Sequence, residues 1–181
     1  MTSNERARLE ALRELELDKN AEQSFDDITR IAANICDTPI SLITLIDENI
    51  QWTKSRYGLS LLETKRDHSF CSHTIKTPDQ IMIVENTLED DRFKSSPLVT
   101  EDPKMRFYAG MSLVTNSGHP IGAVCVIDSE PKKLNPEQCN ALTALSRIAM
   151  KLIYAKTLHK RIIAQNIQLD QKTKELLDSL I

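Results

Sequence analysis

His68, Cys71 and His73 stand within six residues of one another, so a metal site is the first chemistry to consider. Structural zinc sites usually add a second pair of ligands at a similarly short spacing. The remaining cysteines and histidines lie far away along the chain, so the pattern favours other roles over a metal or haem site. We expect residues 69–75 to form a short helix in which Phe70 packs while Cys71 and His73 face a cavity or bond to the backbone.

Arg92 and Arg106 are the second candidates, because a guanidinium can hold a carboxylate or phosphate through two parallel hydrogen bonds. The segment that links them belongs to a stretch of about twenty residues rich in Asp, Ser, Pro and Thr, and loops of that length commonly form lids or binding sites. The alternative is that each arginine only fastens this loop by pairing with a nearby carboxylate of Asp90, Asp91, Glu101 or Asp102.

Length and composition limit the classes of protein that this chain can represent. With 181 residues, 40% of them hydrophobic, it can form one domain with an appendage. A net charge of −3 gives no reason to expect a nucleic-acid partner or a membrane surface. The charged N-terminus lacks a signal peptide and no apolar run is long enough to cross a membrane, so we expect a cytoplasmic protein whose four cysteines are free thiols.

Helical periodicity marks both ends of the chain. Residues 4–17 predict a charged helix, and Asn20 with Gln23 predicts a capping box for a second helix. The second helix should bury a stripe formed by Phe25, Ile28, Ala32 and Ile35. Pro136 suits the first turn of a long C-terminal helix, which should pack on the domain through Leu142, Leu145, Ile148 and Leu152.

The middle of the chain predicts a sheet of about five strands. Apolar or alternating runs cover residues 40–46, 51–57, 81–84, 107–114 and 120–127, and Asn116-Ser117-Gly118 supplies the turn of a hairpin. In the strand 107–114, alternation places Phe107 and Ala109 on one face and Tyr108 on the other. Both faces therefore need a covering layer.

Beyond the domain, the C-terminal helix carries two series with a seven-residue repeat. One comprises Ala155, Ile162, Leu169 and Leu176; the other comprises Leu152, His159, Asn166, Thr173 and Leu180. The first suits the d positions and the second the a positions of a parallel two-stranded coiled coil, in which Asn166 would fix the register. The alternative is a solvated, frayed tail. The helix has no Gly or Pro terminator before Ile181, which suggests a downstream output domain.

Two strings, KRDHSFCSHTI and VENTLEDDRFKSSPLVTEDPKMRFYAGMSLVTNSGHPIGAVCVID, together with FDDITRIAANICDTPISLITLIDENIQWTKSRYGL, resemble the GAF domain family. The closest resemblance is to GAF domains that precede sensor kinases and diguanylate cyclases. It implies an α/β (α+β) fold: a central antiparallel sheet of about five to six strands with the N- and C-terminal helices on one face. On the other face, loops and short helices would form a ligand pocket lined by Phe70, Cys71, His73, Phe93, Arg106 and Tyr108.

The resemblance also implies a function and a domain division. Residues 1–19 would form an N-terminal helix, 20–150 the GAF domain and 151–181 a signalling helix. The expected function is non-catalytic: a homodimeric sensor that binds a small molecule of unknown identity and regulates a kinase or diguanylate cyclase. The cofactor is unknown, and a bilin is not expected, since Ser72 separates Cys71 from His73 where bilin-binding members have adjacent cysteine and histidine. The alternatives are a ligand-free dimerisation module and a free-methionine sulfoxide reductase, whose closely spaced loop cysteines this chain lacks.

Overall fold

The computed structural model describes residues 2–179, which fold into five α-helices and six strands. The helices are α1 (Ser3–Glu14), α2 (Gln23–Cys36), α3 (Cys71–Thr74), α4 (Pro97–Thr100) and α5 (Pro136–Asp178). The strands are β1 (Ile40–Ile46), β2 (Ile50–Tyr57), β3 (Glu63–Lys65), β4 (Met82–Val84), β5 (Phe107–Val114) and β6 (Pro120–Asp128). Two single turns of 3₁₀ helix lie at Arg66–His68 and Thr87–Glu89.

The six strands form one antiparallel sheet in the order β3-β2-β1-β6-β5-β4, which confirms the predicted fold class. Strands β1 and β6 occupy the centre, in keeping with their apolar runs. The β5–β6 hairpin turns where predicted, and Gly118 adopts the left-handed conformation (φ 85°) that a turn residue without a side chain tolerates easily. Strand β3 was missed because three residues of polar sequence give no recognisable alternation.

Helices α1, α2 and α5 cover one face of the sheet and enclose the helix-side core. Alternation along β5 is confirmed, since Phe107, Ala109 and Leu113 point into this core whereas Tyr108 points to the opposite face. Strands β1, β2 and β6 also contribute to this core. The helices contribute Leu12, Phe25, Ile28, Ala32, Cys36, Leu142, Leu145, Ala149 and Ile153.

Two of the predicted helix stripes need correction. Ile35 is 43% exposed, because Cys36, one turn after Ala32, takes the core position instead. Ile148 is 50% exposed, because Leu145 and Ala149 on either side of it face the sheet. Ile148 stands seven residues before Ala155 and therefore extends the predicted d series back onto the domain.

The predicted capping box at Asn20 is wrong. Helix α2 begins after Glu22, which makes no side-chain capping bond. The segment before α2 is instead fixed by the Lys54 ammonium, which donates to the backbone carbonyls of Asp18 and Asn20 (3.0 Å each) and to the Glu22 carboxylate (2.6 Å). This buried cation fastens the α1–α2 connection to β2, so polar backbone groups near Asn20 are satisfied without a helix cap.

Helix α5 begins at a capping box between Asn135 and Gln138, and it runs unbroken for 43 residues. One side of the helix is buried against the domain as far as Thr157. The Thr157 hydroxyl donates a hydrogen bond to the Leu15 carbonyl (2.9 Å). From Leu158 onward every described side chain is exposed. Leu180, the last member of the predicted a series, lies outside the described residues. Among residues 2–179, no helix combines the length and the apolarity needed to cross a membrane.

Candidate functional site

The face of the sheet opposite the three long helices carries a second apolar cluster, the loop-side core. Its members come from the strands, from α3 and from the long loop between β4 and β5: Leu42, Ile46, Phe70, Cys71, Ile75, Met82, Val84, Phe93, Val99, Met105, Tyr108, Ala123, Cys125 and Ile127. This is the face on which a ligand pocket was expected. Four of the six predicted site residues belong to this cluster: Phe70, Cys71, Phe93 and Tyr108.

Helix α3 is held over the sheet by polar contacts at both of its ends. At its start, Ser69 accepts a hydrogen bond from the Ser72 amide (3.0 Å) and donates to the side-chain oxygen of Gln51 on β2. At its end, the Thr74 carbonyl accepts from the Ser112 hydroxyl on β5 (3.2 Å). The predicted short helix is therefore present, and its position relative to the strands is defined by buried hydrogen bonds.

Aromatic side chains close the outer side of this site. The rings of Phe70 and Phe93 stack with centroids 4.0 Å apart and planes inclined by 13°. The His73 imidazole meets the Phe93 ring edge-on at 4.9 Å, outside the cluster itself. Partial burial, together with nearby Lys76 and Arg92, lowers the pKa of His73, which favours the neutral imidazole. Phe93 is thus an anchor that brings the long loop down onto α3.

The Tyr108 hydroxyl is the polar centre of the site. It lies 2.7 Å from the Thr74 hydroxyl and donates to the Cys71 sulfur at 3.2 Å. The Cys71 sulfur is in turn 3.9 Å from the sulfur of Cys125 on β6. Burial, followed by the proximity of the two cysteines, raises the pKa of Tyr108, so this group remains a neutral donor.

Gly110 leaves the room into which the Tyr108 side chain leans. A Cβ atom at this position would lie 2.2 Å from the Tyr108 hydroxyl, well inside contact distance. Gly110 is directly opposite Cys125 in the β5–β6 ladder. Gly110 has no side chain and Cys125 has a small one. Together they leave the space that the Tyr108 side chain occupies.

The cavity that remains between these groups is small. Its free volume is about 10 Å³, enough for about one water molecule. The lining residues are Leu42, Gln51, Leu61, Phe70, Cys71, Leu98, Met105, Tyr108, Cys125 and Ile127. Three of the predicted residues (Phe70, Cys71 and Tyr108) thus line a cavity, and His73 and Phe93 pack behind Phe70.

Arg106 lies outside this cavity, contrary to the expected geometry. Its guanidinium donates to the backbone carbonyls of Val99 (2.9 Å) and Met105 (3.1 Å), and so fastens the long loop. The alternative role of a loop staple is therefore the one observed, although the acceptors are carbonyls instead of the carboxylates of Glu101 or Asp102. The physical reason is distance along the chain: Arg106 follows the loop directly, so the loop carbonyls are within its reach.

Arg92 follows the predicted alternative more closely. Its guanidinium forms two hydrogen bonds with the Asp90 carboxylate (2.9 and 2.6 Å) and lies 4.9 Å from the Phe93 ring centroid. This pairing lowers the pKa of Asp90. Both arginines thus serve the loop, and within the part of the chain that the structure describes no group of three or more Cys, His, Asp or Glu side chains could hold a metal ion.

Sequence reasoning missed Cys125, Gln51, Met105 and Leu42 as members of the site. Alternation had placed Cys125 on one face together with Ile127, but the sequence contains no signal that aligns this face with α3. The larger grooves lie elsewhere. An open groove of about 470 Å³ lies between β5 and α5, lined by Met111, Arg147 and Tyr154 among others, and none of the predicted site residues lines it.

Residues 20–153 match the sequence profile of the GAF domain family. This range includes the whole sheet, the site and most of the buried part of α5. The chain belongs to the GAF domain family. A curated relative of this GAF domain is a cyclic di-GMP phosphodiesterase of Pseudomonas aeruginosa, 35% identical over 139 residues. The matched region covers 76% of this chain and 24% of the relative, so the chain spans about a quarter of that protein.

Solved structures share the fold at low sequence identity. The GAF domain of an Acinetobacter phosphoenolpyruvate-protein phosphotransferase superposes with a TM-score of 0.61 and 14% identity, covering 91% of this chain and 99% of that one. The free methionine-R-sulfoxide reductase of Neisseria meningitidis, solved in complex with its substrate, gives a TM-score of 0.60 and 11% identity over 78% of this chain and 82% of that chain. At such identities these likenesses establish the fold and leave the activity open.

Proposed function

We propose that this GAF domain is a regulatory module in which a change in the loop-side core is passed through the sheet to α5, within a homodimer. The observation that carries the proposal is that adjacent residues of β5 reach the two cores. Tyr108 bonds to α3 on the loop side, whereas Phe107 and Ala109 belong to the helix-side core with Leu142 of α5. Because protein interiors are close-packed, a shift of this strand displaces side chains on both of its faces.

The exposed part of α5 is the proposed output. Residues 158–178 extend for about 32 Å at the rise of an α-helix. Most of the stability of a helix in a protein comes from tertiary packing of its apolar face, and residues 158–178 have no such packing within one copy. The exposed side chains of Ile162, Leu169 and Leu176 recur at seven-residue intervals, in line with Ile148 on the domain. A second copy in parallel register would cover this series.

The proposed input is a small molecule that enlarges the loop-side cavity. The lining is apolar apart from the Tyr108 hydroxyl, the Gln51 amide and the two thiols, and neither arginine of the loop reaches it. A compact, neutral ligand with one hydrogen-bonding group fits this chemistry better than the anion expected from Arg106. Entry requires the Phe70–Phe93 stack or the loop around Leu98 to move outward, because the existing volume holds about one water molecule.

Thermal shift measurements with a library of small neutral compounds test the input. A true ligand at 100 times its dissociation constant stabilises by about 2.7 kcal/mol. The Tyr108→Phe variant should bind the same compound more weakly by roughly tenfold, the value of about one buried hydrogen bond. If a compound instead stabilises the Tyr108→Phe variant as strongly as the parent protein and stabilises a Met111→Ala variant less than the parent, it binds in the open groove beside α5. This result contradicts the proposal.

Sedimentation velocity tests the output half separately. The full chain should sediment as a dimer at tens of micromolar, and truncation after Thr157 should give a folded monomer, because the buried residues of α5 end there. A double variant Leu169→Lys, Leu176→Lys should dissociate in the same way, whereas the control Gln168→Lys, Gln171→Lys, at positions away from the proposed seam, should remain dimeric. A monomeric full chain would leave α5 as a solvated tail.

The Pseudomonas aeruginosa relative supports a proposal about the pathway in which this domain acts. Its name connects it with cyclic di-GMP breakdown, so we propose that α5 regulates an output domain of cyclic di-GMP metabolism, a diguanylate cyclase or phosphodiesterase, or else a kinase, in the cytoplasm. Two alternatives have distinct outcomes. A ligand-free dimerisation module would give a dimer and no stabilising compound, and a reductase would turn over free methionine sulfoxide in the presence of a thiol reductant.

A further inference from the structure

Two thiols that are widely separated in sequence meet inside the loop-side core. The sulfur atoms of Cys71, at the start of α3, and Cys125, in the centre of β6, lie 3.9 Å apart. Both side chains are buried, with 2% and 0% of their surfaces exposed. The sequence offered no C-x-x-C spacing, so only the packing of α3 on the sheet brings the pair together.

The surroundings of the two thiols are unequal. The neighbouring Cys125 thiol, and after it the hydroxyls of Thr44 and Tyr108, lower the pKa of Cys71 against the opposing effect of burial. The same pairing, together with burial, raises the pKa of Cys125. Cys71 is therefore the thiol that ionises first, and Cys125 remains protonated beside it.

Access to the pair is limited to very small molecules. Both cysteines line the cavity of about 10 Å³, which has room for about one water molecule. A bulky disulfide such as oxidised glutathione cannot reach a sulfur atom that is almost fully buried. Hydrogen peroxide has only two heavy atoms, so it is the class of oxidant that requires the least enlargement of this cavity.

We propose that Cys71 and Cys125 form a peroxide-oxidisable dithiol, a covalent modification site in the loop-side core. The Cys71 thiolate attacks one oxygen of hydrogen peroxide and the O–O bond breaks. The Cys71 sulfur becomes a sulfenic acid, and the hydroxide that leaves takes up the proton that Cys71 had released, giving water. The Cys125 sulfur then attacks the sulfenic sulfur, and the S–O bond breaks as the S–S bond forms. The departing hydroxyl takes the Cys125 proton and leaves as a second water.

The disulfide requires a movement within the site. An S–S bond is about 2.05 Å long, so the sulfurs must approach by nearly 2 Å from their present 3.9 Å. Cys125 lies on β6, which is paired on both sides by β1 and β5, whereas α3 has only four residues. The movement therefore falls to Cys71 and the short helix α3, against the hydrogen bonds that hold both ends of that helix, and the hydrogen bond from Tyr108 to Cys71 is lost. The dithiol does not depend on the proposed sensor function.

Peptide mapping of the full chain tests the site directly, because trypsin places the four cysteines on four different peptides: 31–54, 67–76, 107–132 and 134–147. The reduced protein is treated with hydrogen peroxide, alkylated in denaturant and digested. We expect the thiol count to fall from four to two, with 67–76 joined to 107–132 and the joined species released by dithiothreitol. Oxidised glutathione in place of peroxide should leave the thiols of Cys71 and Cys125 free.

Variants separate the site from other thiols. Replacing Cys36 with Ala and Cys139 with Ser should leave the link unchanged. Cys125→Ala should give no link and a Cys71 sulfenic acid that dimedone captures when it is added together with the denaturant. The proposal is overturned by four remaining thiols after peroxide treatment, by a link between 31–54 and 134–147 in the parent chain, or by peptide 67–76 gaining oxygen without a link. Mapping of the parent chain decides even where a variant does not fold.

Discussion

Removing the Tyr108 hydroxyl is the sharpest test of how the site is held together. The Tyr108→Phe substitution keeps the ring that packs against Phe70 at a centroid distance of 5.2 Å, and deletes only the oxygen atom. That oxygen has two partners, the Thr74 hydroxyl at 2.7 Å and the Cys71 sulfur at 3.2 Å. The residue is 1% exposed, so bulk solvent does not reach the groups that lose their partner.

The expected loss follows from the state of the two partners. A buried group left without its hydrogen bond costs about 1–3 kcal/mol. The Thr74 hydroxyl retains a long bond to the Phe70 carbonyl at 3.4 Å, and sulfur is a weak acceptor, so the loss belongs in the lower half of that range. We predict that the free energy of unfolding falls by about 1.5 kcal/mol, which corresponds to roughly 3–6 °C in Tm for a protein of this size.

Tyr57→Phe is the matched control, because Tyr57 is 40% exposed at the end of β2. Its substitution should change the unfolding free energy by less than about 0.5 kcal/mol. Both variants and the parent are unfolded in urea and by heat at equal protein concentration, so that any dimer contributes equally. If Tyr108→Phe and Tyr57→Phe are equally stable, the hydroxyl contributes nothing to the fold and the proposed polar centre is refuted.

Three further predictions concern the helices. Lys54→Met should lower the free energy of unfolding in urea by about 3 kcal/mol, the low end for breaking a buried ion pair. The low end applies because the carboxylates of Asp18 and Glu22 each keep a second lysine as a partner. A loss below about 1 kcal/mol would contradict the role of Lys54 as an anchor. Hydrogen bonds from Arg8, and then from a second arginine, lower the pKa of Glu5 from 4.5 to about 2. This contribution to stability is complete above pH 4.5 and is lost as the pH falls towards 2, so stability measured across this range should fall more steeply for the parent than for Glu5→Gln. Asn166→Leu should raise the melting temperature of a dimer while broadening its oligomer distribution in sedimentation; unchanged values would place Asn166 in solvent.

The sheet and the long helices could be predicted because their signals are local. Alternation along β5 and β6 and the apolar runs of β1 mark strands from neighbouring residues alone. The errors arose where two side chains competed for the same core position. In α2, both Ile35 and Cys36 fitted the helical period, and only the position of the sheet decides that Cys36 is buried.

The site was predicted less completely, because its members meet through long-range packing. The resemblance to GAF domains indicated α3 and Tyr108, yet it could not show that Phe70, Phe93 and Met105 fill most of the expected pocket. Arg106 was assigned to a ligand from its charge, whereas its position directly after the loop makes the carbonyls of Val99 and Met105 its partners. The chemistry of a side chain was readable from the sequence; its direction was not.

The edges of the sheet suggest how the site and α5 are coupled. Strand β6 is paired along both sides, but β4 pairs only with residues 108–110 of β5, so the outer edge of residues 111–114 has no strand beside it in the described part of the chain. Residues 111–114 of β5 are therefore restrained by a neighbouring strand, β6, on one side only. It leads into the hairpin, where the Asn116 amide donates to the Tyr154 hydroxyl on α5 at 2.8 Å. In the proposed function, a displacement of Tyr108 would pass along β5 to this hairpin. It would meet α5 at Tyr154, three residues before the last buried residue of the helix, Thr157.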